Sequence, residues 1–256
     1  MREIFVNFFK LEAKNTSVKR ELLAGATTFI TMVYIIFVNP SMMAETGMDY
    51  GASFVGTCLA AAFACFAMGI FANWPIALAP GMGLNAFFTY TVVGEMGYSW
   101  QAALSAVFLA GVLFLIISVT PLRRWILESI PPSLRISMGA GIGLFIGFIG
   151  LKSSGIIISN PVNYLSLGDL TKTEPYLGLL GFLIITVLSI RKVPGAIMLG
   201  IVAITLIAIL TNKVEFSGVL SAPPSIAPVL FELDFNGALD IGMVSVVLTF
   251  LFVNLF

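Results

Sequence analysis

Histidine is absent from this 256-residue chain, cysteine occurs twice, and charged residues make up only 10% of it. Each scarcity closes off a class of chemistry. Without histidine there is no imidazole to relay protons or to serve as the commonest metal ligand. Cys58 and Cys65 lie seven residues apart in one apolar run and have nothing with which to complete a metal site, so no metal or cofactor is expected and the thiols read as packing residues. Thirteen basic and thirteen acidic residues cancel, which offers no basic face to a nucleic acid. No carboxylate sits centrally in an apolar segment, and neither paired aspartates nor a Ser-Lys dyad is present there. An enzyme working inside a membrane, and with it any catalytic residue, is therefore not expected.

What is there is apolar. Hydrophobic residues reach 59% and the mean hydropathy is +1.04, values of an integral membrane protein. The runs exceed the ~18 residues that cross a bilayer, which favours helices over short alternating strands and predicts an all-α polytopic membrane protein. Spans are predicted at 22–44, 51–72, 76–93, 100–120, 133–151, 175–190 and 194–211, with an eighth beginning near 241. The first run is too long for a signal-peptide core, so an uncleaved N-terminus is expected.

Two amphipathic pieces flank these spans. In "IFVNFFKL" (4–11), Ile4, Phe5, Phe8 and Leu11 share one helical face, as in an interfacial helix. "PLRRWILESIPPSLR" predicts a second, ended by Pro131 and Pro132. Ten Lys and Arg fall on the N-terminal side of this map and three (Lys152, Lys172 and Lys213) on the other. The positive-inside rule then puts the N-terminus in the cytoplasm. Seven spans place the eighth on the opposite face from the first, as an inverted repeat requires. The apolar run that reaches Phe256 reads as the start of a second repeat, so a truncated chain is expected.

One span carries helix breakers in its middle. "APGMGLN" (79–85) combines Pro80, Gly81, Gly83 and Asn85. Non-helical backbone at membrane depth persists only where protein buries it or where it lines a cavity. Pro80 removes a donor and biases Ala79 to extended backbone, while Gly81 and Gly83 allow a close approach to a ligand. Leu84 and Asn85 then open a half-helix whose free N–H groups face a cavity, the usual construction of a transporter's substrate site. A carboxamide both donates and accepts, which suits a neutral ligand needing directional hydrogen bonds. Phe87 is a candidate for stacking. Thr28 is a candidate cavity residue, although Thr27, Thr28 and Thr31 are expected by default to bond back to their own helix. Asn39 and Pro40 read as ending or kinking the first span. The glycines of "MGAGIGLFIGFIG" (138–150) and the alanines of "CLAAAFACFAMG" (58–69) read as close helix packing, since no strand precedes and no lysine follows as in a phosphate loop.

The stretches "LAGATTFITMVYIIFVNP" (23–40) and "PIALAPGMGLNAFFTYTVVG" (75–94) resemble the beginning of the AzgA-like purine permeases, which stand with the xanthine and uracil permeases. The resemblance runs along the whole chain, onto the N-terminal half of the family. It implies a 7+7 inverted-repeat (UraA-like) transporter of which this is the first seven-helix repeat plus the start of helix 8, with a broken third helix. In those terms 1–21 is a cytoplasmic segment, 22–120 belongs to a core domain, 121–211 to a gate domain, 212–240 to an extracytoplasmic connector and 241–256 to the eighth helix.

The resemblance further implies purine import (hypoxanthine, guanine or adenine) by proton symport and alternating access across the inner membrane. Asn85 matches the family's purine-binding asparagine, with the Gly83 and Leu84 backbone beside it. Asn254, in "FVNLF", stands where the family has a substrate-binding, proton-coupling aspartate. The expected partners are a purine base, protons and the lipid bilayer; a homodimer is left open. An anion transporter of the same fold is the alternative, because half-helix N-termini also suit anions.

Overall fold

The computed structural model describes residues 6–129, 131–214, 218 and 221–255. Its helices are α1 (Val18–Met32), α2 (Ile35–Ala44), α3 (Tyr50–Ala67, extended by wider turns through Met68–Ala72), α4 (Met82–Ala86, continued by wider turns through Phe87–Glu95), α5 (Trp100–Val119), α6 (Leu122–Ser129), α7 (Pro132–Ser153), α8 (Thr173–Ile190), α9 (Ala196–Leu210), α10 (Phe235–Ala238) and α11 (Ile241–Leu255). Among the described residues, five helical stretches are long and apolar enough to cross a membrane: Val18–Ala44, Tyr50–Ala72, Trp100–Val119, Pro132–Ser153 and Thr173–Ile190. Ala196–Leu210 and Gly242–Leu255 are shorter apolar helices. The chain is a multi-pass membrane protein.

Local chemistry sets several helix ends. The Ser17 hydroxyl accepts from the Arg20 N–H to cap α1, and Ser99 does the same for Ala102 at α5. Pro132 opens α7, where its missing N–H costs nothing. Asp234 caps α10 by accepting from Gly237 N–H at 3.1 Å.

Four expectations change. Residues 76–93 do not form one helix: 74–80 carries no regular secondary structure, and the helix starts only at Met82 and runs to Glu95. Pro80 and the glycine after it prevent helical pairing there. Asn39 and Pro40 do not end the first span. Both are buried inside α2, and the interruption comes earlier, at Val33–Tyr34. The fold is not purely helical, because β1 (Ile157–Asn160) pairs antiparallel with β2 (Tyr164–Leu167) in the loop after α7, Asn160 facing Tyr164. Asn160 Oδ1 accepts from the N–H groups of Val162 and Asn163 and so shapes the turn. Finally, a side chain added at Gly139, Gly141, Gly143, Gly147 or Gly150 would meet nothing within 4 Å, so these glycines mediate no close helix approach among the described residues. Of the expected interfacial helix at 4–11, Ile4 and Phe5 lie outside the described residues. The helical turn at 6–8 ends before Lys10, whose positive φ of 52° breaks it; Leu11 is buried and Phe8 is exposed.

The described residues form two units. The first takes the chain up to Val38, Thr57–Pro80 and Lys152–Ala222. There α8 and α9 pack through reciprocal small residues: Gly181 faces Ile204, and Gly200 faces Ile185. Membrane helices gain no hydrophobic drive from one another, so close backbone approach across small residues supplies the contact. Gly195 links them with φ +72°, its bare α-carbon against Ile30 of α1. At the other end of this unit, Lys14 Nζ donates to Asn73 O at 2.5 Å and Asn73 Oδ1 at 2.9 Å, while Asn73 Nδ2 donates to Phe9 O at 3.0 Å. A lysine here complements the C-terminal end of α3, which Asn73 closes in the left-handed region.

The second unit takes Asn39–Gly56, Gly81–Leu151 and the chain from Pro223 onward. Its core is an alanine stripe of α5 (Ala102, Ala103, Ala106 and Ala110) against Met243, Val246 and Phe250 of α11, with Phe88 and Val92 from the helix that follows the break.

Replacing Gly200 with Ala drives a methyl group into Ile185. The expected result is a loss of roughly 1–3 kcal/mol, measured as a lower unfolding temperature of the detergent-solubilised protein. An unchanged midpoint would refute the close α8–α9 contact.

Candidate functional site

The break begins where Asn73 turns into the left-handed region, and the non-helical stretch runs to Pro80. Such a stretch exposes backbone donors and acceptors that a helix would pair internally. One residue is served by a side chain: Leu78 N–H donates to Cys65 Sγ at 3.2 Å, and the thiol donates to Leu78 O at 3.3 Å. Cys65 is thus a backbone partner as well as a packing residue. Its spacing from Cys58 held no sign of this.

Gly81 (φ −77°, ψ 116°) is the N-cap of α4 and gives no side-chain cap. Asn85 N–H closes the first turn on Gly81 O at 3.1 Å. The N–H groups of Met82, Gly83 and Leu84 precede that bond and take no partner among the described residues. They form a small positive pole at the mouth of the half-helix.

Asn85 is half-buried, and its Nδ2 donates to Asn39 Oδ1 of α2. Thr89 Oγ1 donates to Met42 O at 3.2 Å and Tyr90 donates to Glu45 Oε1 at 3.1 Å. Asn39 and Met42 lie on one face of α2 and Glu45 follows directly after its end, so three polar contacts run as a seam along the helix after the break. Asn39 is 8% exposed and Thr89 4%. Burial at that level requires such partners.

The other expected site residues divide as follows. Leu84 packs on the apolar core of the second unit. Phe87 does so too, its ring edge-to-face with Phe250 at 5.2 Å and 71°. Gly81 is exposed with open space where a side chain would stand, free for a close approach. The side-chain space of Gly83 is taken by Ile142, whose Cγ2 lies 3.0 Å from a built Cβ. Asn254 is exposed near the end of α11. Thr28 belongs to the first unit. Its hydroxyl donates to Ala24 O at 2.9 Å while the residue lines a cavity of about 390 Å³ with Glu21, Cys65, Trp74 and Ala77. Pro80 closes the first unit's non-helical stretch. Sequence reasoning passed over Asn39 as a helix terminator; its place one residue before a proline in an apolar run was the available signal.

Outside the spans, the Tyr98 phenol donates to Asp240 Oδ2 at 3.4 Å. Its pKa is raised by burial first, then by the charge of Asp240 and by that bond, so it stays protonated at neutral pH. No group of three or more His, Cys, Asp or Glu among the described residues could hold a metal ion.

A multi-pass helical chain whose non-helical stretch leads into a half-helix with unpaired first-turn donors has the make-up of a permease. The chain belongs to the Permease family, Xan_ur_permease, whose profile matches residues 19–256; these are transporters, not enzymes. Adenine permease AdeP of Escherichia coli (strain K12) is 46% identical over 97% of this chain and 56% of its own length. Guanine/hypoxanthine permease PbuO of Bacillus subtilis (strain 168) is 42% identical over 97% of this chain and 59% of its own. Guanine/hypoxanthine permease PbuG of the same organism is 39% identical, again over 97% and 59%. The chain spans somewhat over half the length of these curated relatives.

Gly83→Val is expected to destabilise the protein by roughly 1–3 kcal/mol through Ile142, and Ile142→Ala in the same chain to recover most of that loss. A double-mutant cycle on unfolding temperature in detergent measures it. Additive losses would show that the two residues do not touch.

Proposed function

We propose that this chain supplies the base-recognising half-helix of a secondary transporter for purine nucleobases, with Asn85 as the principal ligand contact. The carrying observation is the Asn85 carboxamide in the first turn of α4, next to N–H groups that no described residue uses. A purine offers donors and acceptors on its edges and no net charge, so a carboxamide and free backbone donors match it better than an ionised group. The named substrates of AdeP, PbuO and PbuG support the same reading.

The rest of the proposal follows the family resemblance. The whole protein is a proton symporter of two inverted seven-helix repeats in the inner membrane, N-terminus in the cytoplasm, working by alternating access. Residues 22–120 lie in its core domain and 121–211 in its gate domain. Gly83 and Leu84 contribute backbone contacts and Phe87 a stacking face, Asn254 takes part near the substrate, and Thr28 lines a cavity within its own unit. The seam along α2 keeps the half-helix rigid while other parts move.

Asn85→Ala, made in the protein as its own cell produces it, is expected to raise the apparent KM for purine uptake about tenfold or more, the size of one to two lost hydrogen bonds, with unchanged amounts in the membrane. An unaltered KM would remove Asn85 from the site. Asn254→Asp is expected to steepen the dependence of uptake on external pH by adding a proton-binding carboxyl. Uptake indifferent to pH in both forms would count against proton symport.

A further inference from the structure

We propose that Asn39 is a specificity-determining positioning residue, which fixes which way the Asn85 carboxamide faces and so which purine edge the site prefers. The inference rests on the reading of Asn85 as the base contact. It starts from a buried polar side chain where none is needed to end the helix: Asn39 sits within α2, followed by the fully buried Pro40. Placing a carboxamide among apolar residues is unfavourable unless it is hydrogen-bonded. Asn39 Oδ1 accepts from Asn85 Nδ2, joining residues forty-six apart in sequence.

The consequence is chemical. A free carboxamide can turn over, exchanging its oxygen for its nitrogen at almost no cost, and would then meet a donor–acceptor edge or an acceptor–donor edge equally well. With one N–H committed to Asn39, turning Asn85 over alone would set its oxygen against the Asn39 oxygen, two acceptors with no proton between them; the pair could turn only together, and Asn39 is buried within α2 with a further interaction of its own. Asn85 therefore keeps its carbonyl and one N–H for the ligand in a fixed order. Adenine and hypoxanthine present opposite orders along the six-membered-ring edge, an amino donor beside a ring acceptor in one and a carbonyl beside a ring N–H in the other. A fixed carboxamide distinguishes them; a free one does not.

A merely structural clamp would act differently, because the other bonds of the seam, Thr89 to Met42 and Tyr90 to Glu45, also hold α2 to the same helix. The test measures apparent KM for labelled adenine and hypoxanthine in cells lacking their own purine carriers, using the full natural protein. Asn39→Ala is expected to bring the ratio of the two KM values at least about fivefold closer to one. Asn39→Asp keeps a carbonyl oxygen for Asn85 in either protonation state and retains the wild-type ratio, as does Thr89→Val. Three results overturn the proposal: a wild-type ratio near one, equal KM changes for both bases in Asn39→Ala, or the same ratio change in Thr89→Val. Should Asn39→Ala fail to reach the membrane, Asn39→Leu and Asn39→Asp carry the comparison, and an equal ratio in those two overturns it as well. Failure of the underlying site reading shows separately, as Asn85→Ala with both KM values unaltered.

Discussion

The constraint on which this structure depends is that hydrocarbon offers no hydrogen bonds to a backbone. Helices meet it internally, residue by residue, which is why almost every apolar run here is helical. The stretch 74–80 does not, and its non-helical backbone needs partners from elsewhere. Cys65 answers for both groups of Leu78. Beyond Pro80 the problem changes sign: the first-turn donors of α4 are left over, and a leftover donor inside a membrane protein is a place for a ligand.

A half-helix that presents donors is useful only if it is held still. In this chain the holding is polar and shared among modest contacts, since hydrogen bonds between membrane helices contribute on the order of 0.6–2 kcal/mol each. Asn39, Met42 and Glu45 of the one segment meet Asn85, Thr89 and Tyr90 of the other. Apolar packing works beside them, through Phe87 on Phe250 and Ile142 in the space that Gly83 leaves. Gly83 thus serves helix approach, while Gly81 is the glycine with open space at its α-carbon.

The division of labour fits a transporter. Close-packed pairs such as α8 with α9 depend on single hydrogen atoms at Gly181 and Gly200, a tight shape fit that yields rigid bodies rather than a pliable core. A neutral base, the ligand proposed above, calls for a few directional groups whose orientation matters more than their strength.

Much of this was legible in the chain itself. Solvent, helical class and most span limits follow from hydropathy alone, because twenty apolar residues without charge have one stable conformation in a bilayer. The break at Pro80 was read from the sequence; capping by Ser17 and Ser99 and the opening of α7 at Pro132 are equally local effects, which the structure added. The tertiary structure decided what depends on residues distant in sequence. Pro40 sits within a helix instead of ending it; the span at 76–93 divides into a non-helical part and a helical part; the glycines of 138–150 face open space; Asn39 is the partner of Asn85. Local pattern reports what each residue does to its own backbone. Which side chain satisfies a buried amide is settled only when two helices meet, and that meeting is a property of the packed chain.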